Sequence, residues 1–268
     1  MLPEDRMLPG LRFAWTPSSS AQLGGVRYDA HDIDFADVDG ILSRAWSVPV
    51  AAEDFASADG RYICAEWNAL LMAWLHAMPC PVINRLGPQL WYKVQLNVPD
   101  LAALIPEIGL NLPRFIVTTD IAEANAFCRS VRGPVRYSPL TQASQYRIQT
   151  AADREKLAEL VGSLPLYLAE CIEGEPLEAF VVRSEVLFVD RAGRLLNGTG
   201  ERVASRCVAA SLALGLTFCK LSLVAAPQGE WYCLGIDRAP QLYRLAAETQ
   251  MRIARGLTKV FSTPQGNS

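Results

Sequence analysis

The sequence has 268 residues, of which 50% are hydrophobic and 9% aromatic. That is enough apolar side chain for a substantial core in one large domain or two to three small ones. The 25 basic and 28 acidic residues give a formal net charge of -3, and because the two signs are interleaved, we expect no binding surface for nucleic acid or an anionic membrane. No segment approaches the length of an uncharged membrane span, and from the first residues we expect no export signal.

The chain contains seven cysteines, an odd number, and no two of them lie at C-x-x-C spacing. Most lie in apolar runs, where a free thiol behaves as a small hydrophobic side chain. This usage predicts a reducing compartment, and we therefore expect a cytoplasmic protein.

The first section of the chain, residues 1–85, predicts a small parallel α/β domain. Short apolar runs typical of buried strands cover Leu11 to Trp15, Gly40 to Ser43 and Pro81 to Asn84. Between the last two, apolar residues recur at helical spacing from Arg61 to Ala77. The acidic stretch Asp29 to Asp39 lacks the glycine and closing glutamate of a calcium loop, and predicts a solvated connection.

The second section, residues 86–165, predicts a small α+β subdomain. A helix kinked by Pro99 is expected from Leu90 to Ile108, and Asp120 is expected to cap a later helix that ends near Ser130. The other predicted elements are three strands and a helix, at Phe115 to Thr118, Val135 to Tyr137, Tyr146 to Ile148 and Asp153 to Val161.

The third section, residues 166–268, is rich in strands. Consecutive strands flanked by helices favour a mainly antiparallel sheet. The predicted strands are Tyr167 to Ile172, Glu178 to Val182, Val186 to Asp190, Phe218 to Val224 and Trp231 to Ile236, with helices at Val203 to Leu214 and Leu242 to Phe261.

Several short motifs occur in the order and spacing of one known family. The chain resembles the ATP-grasp superfamily, in the branch of peptide and amino-acid ligases that contains ribosomal protein S6 modification enzymes and microviridin-type macrocyclases. The matching segments are Pro81 to Arg85, Lys93 with Gln95-Leu96, Gly109 to Asp120, Gly133 to Leu140, Glu170 to Gly174, Gly215 to Val224 and Tyr232 to Gln241. The resemblance implies an α/β (α+β) fold in the three sections described above.

A ligase of this superfamily phosphorylates a carboxylate with ATP and lets an amine displace the phosphate. It uses two lysines and magnesium ions held by carboxylates and an asparagine. The resemblance implies that Lys93 is the first lysine. It also implies that Glu170, Cys171 and Ile172 form the hinge that receives adenine, so these four are the candidate nucleotide-binding residues.

Other positions of the family pattern carry different residues here. The second lysine falls on Ser138, and Arg136 is expected to point away from it along the strand. An arginine that would stabilise the acyl phosphate falls on Glu178, a charge reversal that we expect to repel an anion. The metal positions fall on Ser222, Gly235 and Asp237, which leaves one carboxylate and predicts no metal site. A local slip of this alignment would instead pair Asp237 with Glu230 as metal ligands.

These substitutions leave two hypotheses open. The first is a degenerate ATP-grasp protein that acts as an accessory module, for which we expect no catalytic residues and no cofactor. It would bind a peptide, a nucleotide, or a protein partner such as an active homologous ligase. The second is a divergent carboxylate–amine ligase that uses ATP and Mg²⁺ in peptide modification or natural-product biosynthesis. The low number of lysines and carboxylates at the matching positions favours the first. Because dimers are common in the superfamily, a homodimer is an open alternative to a monomer.

Overall fold

A computed structural model describes residues 11–17, 22–28, 31–44, 57–85, 87, 90, 95–140, 146–196 and 200–262. The chain divides into two compact units, residues 1–92 with 257–268, and residues 93–256. Its mixed α/β architecture, with four sheets in the described ranges, confirms the predicted fold class. None of the described helices is both long and apolar enough to cross a membrane. The section boundaries at 85/86 and 165/166 stay predictions.

The first unit contains the predicted parallel pair and an antiparallel sheet that the sequence did not predict. The pair is β4 and β5, and the helix α1 connects them in the predicted way. The antiparallel sheet has the order β1-β2-β3. The bounds are β1 Leu11–Pro17, β2 Gln22–Tyr28, β3 His31–Asp34, β4 Ile41–Leu42, α1 Ala58–Ala77 and β5 Val82–Ile83.

The acidic stretch between residues 29 and 39 was predicted to be a solvated connection, and that prediction was wrong. Residues 31–34 form β3, and Phe35–Asp37 form a 3-10 helix that Asp34 caps. Every β3 side chain is exposed, so the strand has no apolar alternation for a sequence pattern to detect. Backbone pairing with β2 and an ion pair between Arg27 and Asp32 define it.

The second unit begins with a four-stranded sheet in the order β7-β10-β8-β9. Its elements are β7 Phe115–Thr118, α3 Ile121–Ser130, β8 Val135–Pro139, β9 Tyr146–Ile148, α4 Ala151–Val161 and β10 Leu166–Glu170. Asp120 caps α3 as predicted, by accepting from the Ala122 N–H. One face of the sheet packs against α3 and α4 in a core made of Ala124, Val135, Tyr137, Leu157, Val161, Leu166 and Leu168.

A five-stranded sheet in the order β12-β11-β13-β14-β6 completes this unit. All its pairs are antiparallel, which confirms the prediction for the third section. The helix α5 packs against β11, β12 and β13. The bounds are β6 Gln95–Asn97, β11 Glu175–Val182, β12 Glu185–Val189, α5 Glu201–Ala213, β13 Phe218–Ala225 and β14 Trp231–Asp237, and the last helix, α6, covers Ala247–Ser262.

The helix predicted from Leu90 to Ile108 is absent from the described part of that range. Residues 95–97 form β6 at the sheet edge, a 3-10 turn follows at Val98–Leu101, and only Leu104–Glu107 is α-helical, as the short α2. Pairing of β6 with β14 overrides the helical spacing of the apolar residues. Pro99 lies in the first turn of the 3-10 helix, where its missing N–H costs nothing.

Candidate functional site

One face of the five-stranded sheet is apolar, and the other carries a patch of polar side chains next to the buried Phe180 and Leu187. The apolar face carries Ala179, Val181, Cys219, Leu221 and Ile236, all fully buried. On the other face, residues of β6, β11, β13 and β14 lie directly opposite one another, as the strand register shows. Because residues in direct register share a face, we define this polar face by Gln95, Asn97, Glu178, Lys220, Ser222, Gly235 and Asp237.

The polar face brings together every position that the sequence assigned to the metal and the arginine. Ser222 stands opposite Gly235 on one side and opposite Glu178 on the other. Asp237 lies opposite Lys220. These residues are therefore neighbours in space, although the strands that carry them are far apart in the sequence.

Glu178 does not face this site as a lone negative charge. The Lys220 ammonium lies 2.7 Å from the Glu178 carboxylate, and the two side chains are 21% and 36% exposed. A distant charge sees such an ion pair as close to neutral, whereas a group in direct contact with the ammonium meets its positive charge. The repulsion of an anion that we expected from Glu178 is thus offset by a lysine to which the sequence motifs gave no role.

Asp237 is also compensated by cations. Its strand partner is Lys220, and its carboxylate accepts a hydrogen bond from the Ala239 N–H at 2.9 Å. The next residue, Arg238, is buried, and burial lowers the pKa of its guanidinium to about 10 while the Asp237 charge acts in the opposite direction. At neutral pH Arg238 is therefore a cation beside the one carboxylate that matches the family's metal position.

This set of residues does not fit a divalent metal ion. Hard cations such as Mg²⁺ need several oxygen ligands, and the part of the chain that the structure describes contains no group of three His, Cys, Asp or Glu side chains placed to hold a metal. A unit charge 4 Å from another in a protein-like medium interacts by about 4 kcal/mol, so the Lys220 ammonium would repel a metal ion placed here.

The alternative pairing of Asp237 with Glu230 is not found. Glu230 lies at the opposite end of β14 and accepts a hydrogen bond from the Tyr232 hydroxyl at 3.0 Å. Six residues of extended chain lie between it and Asp237, a distance of roughly 20 Å. The two carboxylates cannot share one ion.

Arg136 and Ser138 lie on the same face of the four-stranded sheet, so the expectation that Arg136 points away was wrong. Residues two apart on a strand share a face, and the register places Arg136 opposite Ala169 and Ser138 opposite Tyr167. We call these four residues the inner face, because it is the face that α3 and α4 do not cover. Arg136 is 7% exposed, and burial lowers the pKa of its guanidinium.

The inner face is in contact with the segment that follows β6. Val98 forms a small buried cluster with Tyr167 and Ala169, and the Asn97 amide donates to the Leu140 carbonyl at 3.4 Å. The inner face and the edge of the polar face therefore meet at residues 97 and 98. Arg136 supplies a cation to the inner face. It lies two positions before Ser138, and Ser138 is the position at which the family pattern has its lysine.

The hinge, Glu170 to Gly174, joins the two sheets. The Glu170 carboxylate accepts from the Arg114 N–H at 2.9 Å, and the Cys171 N–H donates to the Pro134 carbonyl at 2.8 Å. Gly174 has a φ of +151°, in a region that residues with a side chain rarely adopt. The fourth candidate nucleotide-binding residue, Lys93, lies outside the described residues.

Two open pockets flank the hinge. One, of about 480 Å³, is lined by Arg114, Glu170, Glu230 and Tyr232 together with residues 106 and 109–112. The other, of about 270 Å³, is lined by Glu170, Cys171 and Ile172 with residues 131–133, 173, 226–228 and 232. The three hinge residues predicted to bind a nucleotide thus line a concave surface, and the assignment of a nucleotide to them stays a prediction.

The chain has the fold of ATP-grasp ligases that modify ribosomal peptides. A Chryseobacterium gregarium RiPP-associated ATP-grasp ligase, solved with ADP and a leader and core peptide, superposes with a TM-score of 0.76 at 14% identity over 98% of this chain and 88% of that one. The macrocyclase MdnC of Microcystis aeruginosa, solved with its precursor peptide MdnA, gives 0.79 at 10% identity over 97% and 89%.

A third similar structure is the ATP-grasp ligase PsnB, solved with a phosphomimetic variant of a minimal precursor, Mg and ADP. It gives a TM-score of 0.72 at 18% identity over 95% of this chain and 87% of that one. No family model and no curated protein sequence matches the chain. At these identities the likeness shows the fold, and it confirms the resemblance that the short motifs indicated.

Proposed function

We propose that this chain acts in the modification of a ribosomally made peptide, as a divergent ATP-dependent ligase that joins a carboxylate to an amine or a hydroxyl. The observation that carries the proposal is that peptide-bound ligases share the fold over 95% or more of the chain. The two sheets and the hinge between them make up most of the second unit of this fold. A fold alone does not fix a reaction, and individual residues of this chain provide the further support.

Three groups of this chain support nucleotide binding in the proposed reaction. ATP would supply the phosphoryl group that converts a peptide carboxylate into an acyl phosphate, from which the amine or hydroxyl displaces inorganic phosphate. The hinge residues Cys171 and Ile172 offer a pocket for the base. The guanidinium of Arg136 and the ammonium of Lys220 supply positive charge, and such charges stabilise transferring phosphoryl groups.

A second candidate function is the accessory binding module without efficient ATP turnover. Ser222 and Gly235 favour it, because neither side chain can ligate Mg²⁺ at the positions that the family pattern assigns to metal ligands. In this role the chain would bind the precursor peptide, or an active homologous ligase, and leave the bond-forming step to that partner.

The test is to incubate the protein with ATP, Mg²⁺ and the short peptides encoded beside its gene, and to measure peptide mass and ADP. The ligase forms one ADP for each bond and lowers the peptide mass by one water for each bond. A peptide that binds but keeps its mass identifies the accessory module. If none of the peptides binds and no ADP forms, the proposed ligase is overturned. Reactions without ATP are the control.

A further inference from the structure

Lys220 is the one lysine of the polar face within the described residues. It lies opposite Asp237 in the register, and its ammonium reaches across to the Glu178 carboxylate at 2.7 Å. The other residues of this strand are apolar or small, and the Lys220 side chain is only 21% exposed. The lysine therefore places a fixed positive charge between two carboxylates of neighbouring strands.

The same positions would carry a metal ion in an active ligase with the family pattern. Here the ligands are missing at Ser222 and Gly235, and a side chain at position 235 would come within 3.0 Å of the Leu96 carbonyl oxygen and of the Gln95 amide. A ligating side chain at position 235 would thus need the Leu96 carbonyl and the Gln95 side chain to shift by a few tenths of an ångström. Both the charge and the space are unfavourable for Mg²⁺.

We propose that the Lys220 ammonium takes the place of the protein-bound metal ion on the polar face, so that this chain binds nucleotide phosphates without a divalent cation. The inference rests on the proposed function, because it concerns the same nucleotide site. The inference adds one requirement to that function: the cation that binds the phosphates must belong to the chain. Lysine binds phosphate as a point charge with three donors, which suits an oxygen-rich ligand at this position.

The experiment is a calorimetric titration with ADP and with a non-hydrolysable ATP analogue, once in EDTA and once in Mg²⁺. We expect dissociation constants that agree within about twofold between the two conditions, and a loss of about tenfold or more in EDTA for Lys220→Met. Lys220→Arg should retain most of the affinity because it keeps the charge. The control Lys156→Met removes an exposed lysine of α4 and should change nothing.

A double variant separates two ways in which Lys220 could act. Lys220→Met alone leaves the Glu178 carboxylate without its ion-pair partner, which by itself would repel a phosphate. Lys220→Met with Glu178→Gln removes that repulsion, and the affinity should stay low if the ammonium contacts the phosphates. Recovery in the double variant would overturn the inference, because Lys220 would then only neutralise Glu178. Thermal melting of each variant confirms that it is folded.

Three further results contradict the inference. They are nucleotide binding that requires Mg²⁺, unchanged binding by Lys220→Met, and no binding of either nucleotide in either condition. Peptide binding, measured in the same preparations, is independent of all three. Failure of the metal-free site and failure of the proposed role in peptide modification are therefore distinguishable.

Discussion

Replacing Gly174 with alanine is expected to destabilise the protein by about 3 kcal/mol and to weaken nucleotide binding at the hinge. Gly174 has a φ of +151°, and a Cβ there would collide with the carbonyl oxygen of Ala225 and lie 2.9 Å from a methyl carbon of Val224. Because the clash involves backbone, the hinge or the end of β13 has to move. The expected readout is a lower melting temperature, by roughly 2–4 °C for each kcal/mol in a protein of this size.

Gly133→Ala is the matched control, because Gly133 also borders the hinge. A Cβ at that position would meet only the Cys171 carbonyl oxygen, at 4.0 Å. We expect its stability to stay within about 0.5 kcal/mol of the unchanged protein. Equal melting temperatures for the two variants would show that the close approach of Gly174 to β13 does not constrain the hinge.

Replacing Arg136 with methionine is expected to weaken nucleotide binding by about 10- to 100-fold. Hydrogen bonds to a charged group contribute about 1.5–3 kcal/mol each, which corresponds to that range of affinity. The guanidinium lies on the inner face, two positions from the buried Ser138 that replaces the family's lysine. Methionine keeps most of the side-chain volume, so the variant removes charge more than packing.

Two further variants show whether the Arg136 effect is specific. Arg136→Lys keeps a positive charge and should recover part of the affinity. Arg154→Met removes an exposed arginine of α4, the helix on the opposite face of the sheet, and should leave binding unchanged. If Arg136→Met binds ADP as tightly as the unchanged protein, the inner face does not contribute a cation to the site.

The architecture of the second unit could be predicted from the sequence because its strands and helices have strong apolar periodicity. Strand β3 and the segment from residue 90 to 108 could not. Strand β3 has only exposed side chains. The segment from residue 90 to 108 has buried leucines and isoleucines at a spacing that suits a helix, but pairing with β14 makes residues 95–97 a strand. In both cases backbone pairing between segments decides the structure, and a single-sequence pattern contains no information on pairing.

The site was predicted in part. Alignment to short motifs identified Ser138, Glu178, Ser222, Gly235 and Asp237 as neighbours of one site, and the structure places the last four together on the polar face. The motifs missed Lys220, because the family has a glycine there. A signal was present in the sequence: a lone lysine inside the apolar run from Phe218 to Val224.

Arg136 was misassigned for a geometrical reason. Residues two apart on a strand share a face, so Arg136 points to the same side of the sheet as Ser138. Correcting this changes the chemistry that the site can supply, because the inner face then has a cation. In the proposed function, the cations of the nucleotide site are therefore Arg136 and Lys220.

The measurement that tests the nucleotide site most directly is alkylation of the cysteines with and without ATP, followed by peptide mass mapping. Cys171 lies in the hinge and is half-buried, and we expect bound ATP to slow its alkylation. Cys80 and Cys128, both half-buried elsewhere, should react at rates that ATP does not change. The buried Cys207, Cys219 and Cys233 should not react in the folded protein, since burial raises the pKa of each thiol to about 12. Alkylation of Cys171 at the same rate in saturating ATP would contradict a nucleotide site at the hinge.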